Sequence, residues 1–400
     1  MMYASAGPGL DPRLFLSPPS AAPRPFPLGS PDVIYRYRAR NALYHLFSQL
    51  MLRPDETVLV PDYHHGNEIK AILAAGARLR FYRVDRHLQP DLDQVSRLAR
   101  SGARALLSIH YIGWPQPIRE LAEICRERDL VLVEDCALAL LSELEGQPLG
   151  TFGDFSVFCL YKTLPVPNGA ILAQNRWPIP GLAAMPLRPC DRLSTAGRAS
   201  ELLVEWFRSR AGGAGQVLAA AKRATGRLLS ATWGPRIPVG DAGFDRSVAD
   251  IALSDLSRRI LERLPYAEIR PRRRANFQLL VQLLDGQAPL LRSTIDDGVC
   301  PLFFPLLVPD KAAAAAALEA AGIQTVQFWN VGDPSLTEIS PAVRFLREHL
   351  LEIPIHQYVT LEVIEHIAKQ IRMLGLHRWH ADDTHRTRGL RLLAPEAKPA

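Results

Sequence analysis

The chain has 400 residues, 48% hydrophobic and 22% charged, with a formal net charge of +6. That is enough apolar material for a large core, and the length suggests about two to three domains. The basic residues are scattered, apart from a segment between Arg188 and Arg236, and no nucleic-acid-reading motif accompanies them, so nucleic acid is not an expected partner. No apolar run is long enough to span a bilayer. The five cysteines (Cys125, Cys136, Cys159, Cys190, Cys300) are widely spaced with no CxxC pair. This argues for a reducing compartment, with the cytoplasm expected, and against a disulfide framework or a zinc site.

Residues 1–31 are Pro-rich and lack a charged segment followed by an uninterrupted apolar core, so they read as an extended arm rather than a signal peptide. From Asp32 the pattern changes. ARNALYHLFSQLML has helical spacing and ETVLVP reads as a buried strand. NEIKAILAAG reads as a helix stopped at Gly76, and RLRFYRVD as a strand. ARALLSIHYIG is a strand, IRELAEICRERD an amphipathic helix and LVLVED a strand. Strands alternating with helices imply a parallel sheet with helices on its faces. Residues 175–240 differ, with basic amphipathic segments such as ELLVEWFRSR and GQVLAAAKRATGRLLSATWG. A helix-rich stretch follows from Phe244. Alternation then resumes in PLFFPLLV (strand), KAAAAAALEAAG (helix), IQTVQF (strand) and LEVIEHIAKQIRML (helix). The expected organisation is an arm (1–31), a large domain (32–245) with a basic helical insertion at about 186–240, a small C-terminal domain (246–375) and a polar tail (376–400) that frays.

Ligands of such sheets sit beyond the carboxyl ends of the strands, where Tyr63, His65, His110 and Asp135 all fall. The run from Val131 to Ala170 is the most informative. A strand delivers Asp135, a Gly-rich hairpin-like stretch follows, and one lysine, Lys162, stands in an apolar, Pro-punctuated setting. A strand-end aspartate followed by an isolated lysine suits a pyridoxal phosphate (PLP) enzyme. The lysine holds the aldehyde as a Schiff base, and the aspartate keeps the pyridine nitrogen protonated. An apolar surround that lowers the lysine pKa favours attack on the aldehyde. The plainer readings are a surface lysine at a strand end and an N-cap for the segment CALALLSE.

Other residues carry weaker signals. His65 and Tyr63 can stack on a cofactor ring or form an aromatic pair in a loop. His110 can orient cofactor or substrate, or be structural. Arg40 and Asn41 begin a helix, where amides and a guanidinium suit a phosphate; the alternative is an ordinary first turn. The cluster from Arg270 to Arg274 offers an anion site, for instance for a nucleotide diphosphate, or a solvated helix face.

In order, and over roughly Asp32 to Leu374, these segments resemble the DegT/StrS family of PLP-dependent sugar aminotransferases. ARNALYHLF matches its GTxAL-like helix start, DETVLVPDYHHGNEI its GDEVIVP-like strand and aromatic loop, and SIHYIGWPQPI its PVHxYG-like strand end. VEDCALA matches IEDxAQ, Gly146 to Asp154 match GxxxGTFGD, AAGIQTVQFW matches the small-domain strand, and EIPIHQYVT matches LPIHxxLT. The resemblance implies an α/β fold of the PLP-dependent transferase type I, with a mainly parallel sheet in the large domain and a smaller C-terminal α/β domain. It further implies PLP as cofactor, a homodimer with active sites at its interface, and amino transfer from an amino acid, usually glutamate, to a nucleotide-linked or related keto-sugar in polysaccharide or glycoconjugate biosynthesis. By position, Lys162 is the Schiff-base lysine, Asp135 contacts the pyridine nitrogen, His65 stacks, Arg40 and Asn41 sit at the phosphate, and Cys159 stands near a usual phosphate-binding Ser.

The chain departs from the family pattern at several positions. Leu138 replaces a Gln that contacts the cofactor, Arg40 replaces the Thr of the phosphate turn, Asn168-Gly169 replaces Gly-Gly, and the loop before the small domain is a basic helical insertion. Lys162 argues against the dehydratase branch, where histidine replaces it. The departures leave a second reading, a catalytically altered member acting as a regulatory or scaffold subunit. The basic helices from Glu201 to Trp233 can also dock on an anionic membrane surface or pack on a partner subunit.

Overall fold

A computed structural model describes residues 2–210, 243–327 and 329–379. The chain runs β1 (Val33–Arg36), α1 (Ala39–Gln49), β2 (Thr57–Pro61), α2 (Asn67–Ala74), β3 (Arg78–Tyr82), α3 (Leu92–Ala99), β4 (Ala103–Ile109) and α4 (Ile118–Glu127). It continues through β5 (Val131–Asp135), the hairpin β6 (Glu143–Leu144) and β7 (Gln147–Pro148), β8 (Phe155–Cys159), α5 (Leu160–Thr163) and β9 (Ala170–Gln174). Seven of these strands form one sheet in the order β1-β9-β8-β5-β4-β2-β3. The strands from β3 to β8 pair in parallel, while β9 runs antiparallel to both β8 and β1. Every residue of β2, β5, β8 and β9 is buried, which is why these strands are continuous apolar runs rather than alternating ones. The helices that cover the sheet are one-sided: α4 buries Ile118, Leu121, Ala122 and Cys125 and turns its charges outward.

Beyond β9 come α6 (Pro180–Ala184), helix α7 (192–210), α8 (Asp255–Leu261) and α9 (Tyr266–Leu283). The C-terminal lobe is a two-stranded antiparallel sheet, β10 (Phe303–Leu307) against β11 (Leu350–Pro354), with α10 (Lys311–Ala320), α11 (Pro341–His349) and α12 (Leu361–Met373) around it. Among its described residues IQTVQF, expected as a strand, makes only single bridges, Ile323 to Ala4 and Val326 to Glu352. Its pairing is divided between two different neighbours, so no ladder builds up. The segment after Asp135 turns instead of forming a helix.

The arm's prolines limit its own regular structure to one 3-10 turn, Pro12–Phe15, and it is laid against the body. Tyr3, Ala4, Leu10, Leu14 and Leu28 are buried, and Leu10 N donates to Leu202 O (2.9 Å). The chain also stays packed past Gly375. Leu376 and Trp379 are buried, so the polar tail does not begin to fray there. Residues 380–400 and 211–242 lie outside the described residues, and most of the expected membrane-docking segment lies with them. No described helix is long and apolar enough to cross a membrane.

Candidate active site

The parallel sheet directs its strand ends to one edge. Asp135 closes β5; its neighbour β8 leads directly into α5, which carries Lys162. β2 leads to the loop holding His65, and β1 leads to the start of α1 with Arg40. That loop passes through Gly66 at φ +103°, and a Cβ there would come within 3.0 Å of the Gly332 carbonyl carbon, so the close approach of the C-terminal lobe requires glycine. Arg40, His65, Asp135, Cys159 and Lys162 line one cavity of about 280 Å³. Clefts of about 720 and 470 Å³ lie elsewhere, but neither contains Lys162 or Asp135, so volume is the poorer guide here.

The electrostatics of the cavity follow from burial. Burial pushes the Asp135 carboxyl up to about 6, and the charge of Glu68 adds to this. The Ala137 amide, which donates to Oδ1 (2.8 Å), pulls it back, as does Lys162. A buried carboxyl so placed gains most from a cationic partner. Burial also holds the His65 ring below its usual value, with Lys162 and Arg40 adding and Glu68 opposing, so the ring is neutral at neutral pH. The Cys159 thiol is pushed up by burial and stays protonated.

Arg40 Nη1 donates to Gly243 O, and Gly243 N donates to Asn67 Oδ1 (2.6 Å), so both side chains hold the same residue. Glu68 was not singled out by the sequence. It lines the cavity, and its Oε1 accepts from His65 N (2.7 Å), closing the first turn of α2. The capping signal was legible, with Glu two residues after the Gly66 N-cap, but its approach to Asp135 was not.

Three expected residues are not brought to the cavity. Asn41 turns its amide to Val248 O and Ala249 O (3.0 Å each). Tyr63 packs on the rings of Tyr111 and Trp329, at 5.6 and 4.6 Å, and these two also touch each other at 5.1 Å. His110 is fully buried behind β5. Its Nδ1 accepts from Gln116 N (3.1 Å), so Nε2 carries the proton and donates to Glu134 Oε2 (2.9 Å). Leu138 lines a separate void beside Tyr63 and Trp329, away from Lys162.

His110, Glu134 and Cys136 lie close enough together to suggest a metal site. Glu134, however, already accepts from Phe152 N (2.8 Å) and Gly153 N (2.6 Å) at Oε1, and from Gly150 N (2.9 Å) and His110 at Oε2. The carboxylate is saturated by donors, and the cluster is a hydrogen-bonded knot. The cluster Arg270–Arg274 is not gathered into an anion site either. Arg270 pairs with Glu143 (2.7 Å) and Arg274 with Asp297 (3.3 Å). Arg273 is fully buried, and its guanidinium reaches Gln357 Oε1 (2.9 Å), Pro301 O (3.2 Å), Leu302 O (2.9 Å) and Thr163 O (3.2 Å). It is a strut between α9, the C-terminal lobe and the turn that carries Lys162.

The donor set fits PLP. Lys162 offers an amine for the aldehyde, Asp135 a buried acceptor for a protonated ring nitrogen, His65 a neutral flat ring, and Arg40 a cation at a helix start for the phosphate. Residues 32–172 match the DegT/DnrJ/EryC1/StrS aminotransferase family. These residues are a domain of that family.

The chain is 36% identical over 128 residues to dTDP-4-dehydro-2,3,6-trideoxy-D-glucose 4-aminotransferase of Saccharopolyspora spinosa, covering 32% of this chain and 33% of the relative. It is 30% identical over 137 residues to GDP-perosamine synthase of Vibrio cholerae, covering 34% and 37%. The matches thus span about a third of the length of these curated relatives. The whole fold agrees with solved structures. Helicobacter pylori PseC, an aminotransferase involved in the biosynthesis of pseudoaminic acid, aligns over 93% of this chain and 98% of its own, with a TM-score of 0.64 at 15% identity. The aminotransferase TlmJ of Streptoalloteichus hindustanus aligns over 85% of each chain, with a TM-score of 0.57 at 23% identity. The family domain supplies the cavity floor, from Arg40 to Lys162; Ala6, Gly7, Arg198, Phe303 and Val326 on the walls come from outside it.

Proposed function

We propose that the protein is a PLP-dependent aminotransferase that moves an amino group from an amino acid, glutamate being the expected donor, to a nucleotide-linked keto-sugar. The proposed setting is polysaccharide or glycoconjugate biosynthesis in the cytoplasm, and the proposed assembly is a homodimer. The observation that carries this reading is that Lys162 and Asp135 line one cavity at the carboxyl edge of a sheet whose family domain includes both. The sugar aminotransferases among the relatives support the acceptor class.

When bound, PLP supplies an electron-withdrawing pyridinium ring that stabilises negative charge at an amino acid α-carbon. Asp135 holds the proton on the ring nitrogen, and its own burial strengthens that pairing. His65 offers its ring for stacking, and Arg40 with the first amides of α1 takes the phosphate. Lys162 anchors the aldehyde. With its Nζ free, Lys162 would take the proton from the donor α-carbon and would return a proton in the half-reaction that aminates the sugar.

Protein incubated with PLP should show a visible absorbance band that borohydride fixes covalently to Lys162. A Lys162→Ala protein that keeps a borohydride-trappable band would refute the assignment. Product analysis with a panel of nucleotide keto-sugars then identifies the acceptor, and light scattering reads the assembly.

A further inference from the structure

We propose that the wall built by the N-terminal arm and helix α7 is the amine-acceptor subsite, and that Arg198 on this wall receives a phosphate group of the acceptor. This rests on the aminotransferase reading above. The arm and α7 form one unit. Leu10 N donates to Leu202 O (2.9 Å), Arg208 Nη1 donates to Tyr3 OH (2.8 Å), and the Arg208 guanidinium lies 3.9 Å from the Tyr3 ring centroid. The arm backbone passes so close to α7 that a Cβ on Gly9 would come within 2.4 Å of Trp206 N. On the other side Ser5 Oγ meets His356 Nε2 (3.2 Å), which fastens the arm to the C-terminal lobe. Ala6 and Gly7, held between these anchors, line the cavity together with Arg198.

Two features of this wall point to a ligand. The Arg198 side chain is half-exposed and pairs with Glu201 through Nη1 (2.9 Å), while its Nε is covered and has no hydrogen-bond partner among the described residues. A buried guanidinium N–H without an acceptor is costly, and phosphate oxygens match the guanidinium fork. A Cβ on Gly7 would meet nothing within 4 Å, and the backbone there is not left-handed. Glycine at this position therefore leaves room, and no conformational demand accounts for it. The floor already has its own cation for the cofactor phosphate in Arg40, on a different element. A second cation lining the same cavity suits a second phosphate group, which a nucleotide-linked sugar carries.

The test is calorimetric titration of PLP-loaded protein with inorganic pyrophosphate. Wild-type protein should bind it, and Arg198→Gln should weaken binding by about tenfold or more, as expected for loss of a charge-assisted hydrogen bond. Arg198→Lys should recover part of the loss. Gly7→Leu, which fills the open space, should weaken binding too, and all three variants should take up PLP with wild-type affinity. Unchanged pyrophosphate affinity in Arg198→Gln, or failure of wild-type protein to bind it, overturns the proposal. Weakened PLP uptake with unchanged pyrophosphate binding also overturns it, by assigning Arg198 to the cofactor phosphate. If wild-type protein takes up no PLP, the aminotransferase reading fails. The same titration on the cofactor-free protein then still reads Arg198 and Gly7: parallel losses keep the anion subsite, and no loss removes it.

Discussion

Glu134 and Asp135 are consecutive in β5 and serve opposite sides of it. Glu134 collects the amides of Gly150, Phe152 and Gly153 and the ring of His110, whereas Asp135 faces the cavity that holds Lys162. Strand geometry sends neighbouring side chains to opposite faces, so one residue organises the loop behind the sheet while the next serves the site.

Glu134→Ala should therefore be strongly destabilising. It leaves three backbone N–H groups and an imidazole N–H buried without an acceptor, at a cost of about 3–5 kcal/mol. Chemical denaturation measures this, and an unchanged midpoint would show that the knot contributes little.

Asp135 gives a prediction whose sign depends on the cofactor. Its carboxyl is raised to about 6 in the folded, cofactor-free protein. A raised carboxyl favours folding while protonated, so its contribution is present below about pH 4 and is lost as pH rises through about 6. Above pH 6 the buried charge is a burden. Asp135→Asn should stabilise the cofactor-free protein at pH 8 by about 1–3 kcal/mol, with the gain shrinking as pH falls toward 4. The same variant should bind PLP more weakly. Melting scans across this pH range, with and without PLP, check both signs.

Arg273 supports the Lys162 turn from below through Thr163 O, with Gln357 Nε2 donating to the same oxygen (3.1 Å). Arg273→Met should cost about 2–4 kcal/mol, because buried carbonyls at Pro301 and Leu302 lose their donor. PLP affinity should fall with it through the loosened turn. Full stability with reduced PLP affinity would instead mean that Arg273 acts on the cofactor directly.

Cys159 lines the cavity with a thiol kept protonated by burial. A hydroxyl is the stronger hydrogen-bond donor, so Cys159→Ser should tighten PLP binding by up to about tenfold. Equilibrium titration of the visible band reads this, and a loss of affinity would place Cys159 away from the phosphate.

Much of the large lobe was legible in the sequence because buried parallel strands are short continuous apolar runs and their helices are periodic. The expected strands LVLVED and ETVLVP differ from β5 and β2 by one residue at one end. IQTVQF was misread because an apolar run does not reveal whether a neighbouring strand is free to pair with it along its length. For RPRRR the sequence leaves an anion site and a solvated face both open, and the exposed Pro271 and Arg272 fit the solvated face; charge alone does not show that Arg273 has four oxygen partners distant in sequence.

By itself the sequence determined the chemical inventory and its order: a strand ending in Asp135, a glycine-rich return, and Lys162 one short turn after the next long strand. Those relations are local, and local backbone physics settles them. Only the tertiary structure decided which side chains share a space. Glu68 comes near Asp135, Arg198 and Gly7 come to the cavity, and His110 and Asn41 turn away from it. Such choices depend on how α7, the arm and the C-terminal lobe pack on the sheet, and residues in contact there, such as Ser5 and His356, are as much as 351 positions apart in the chain.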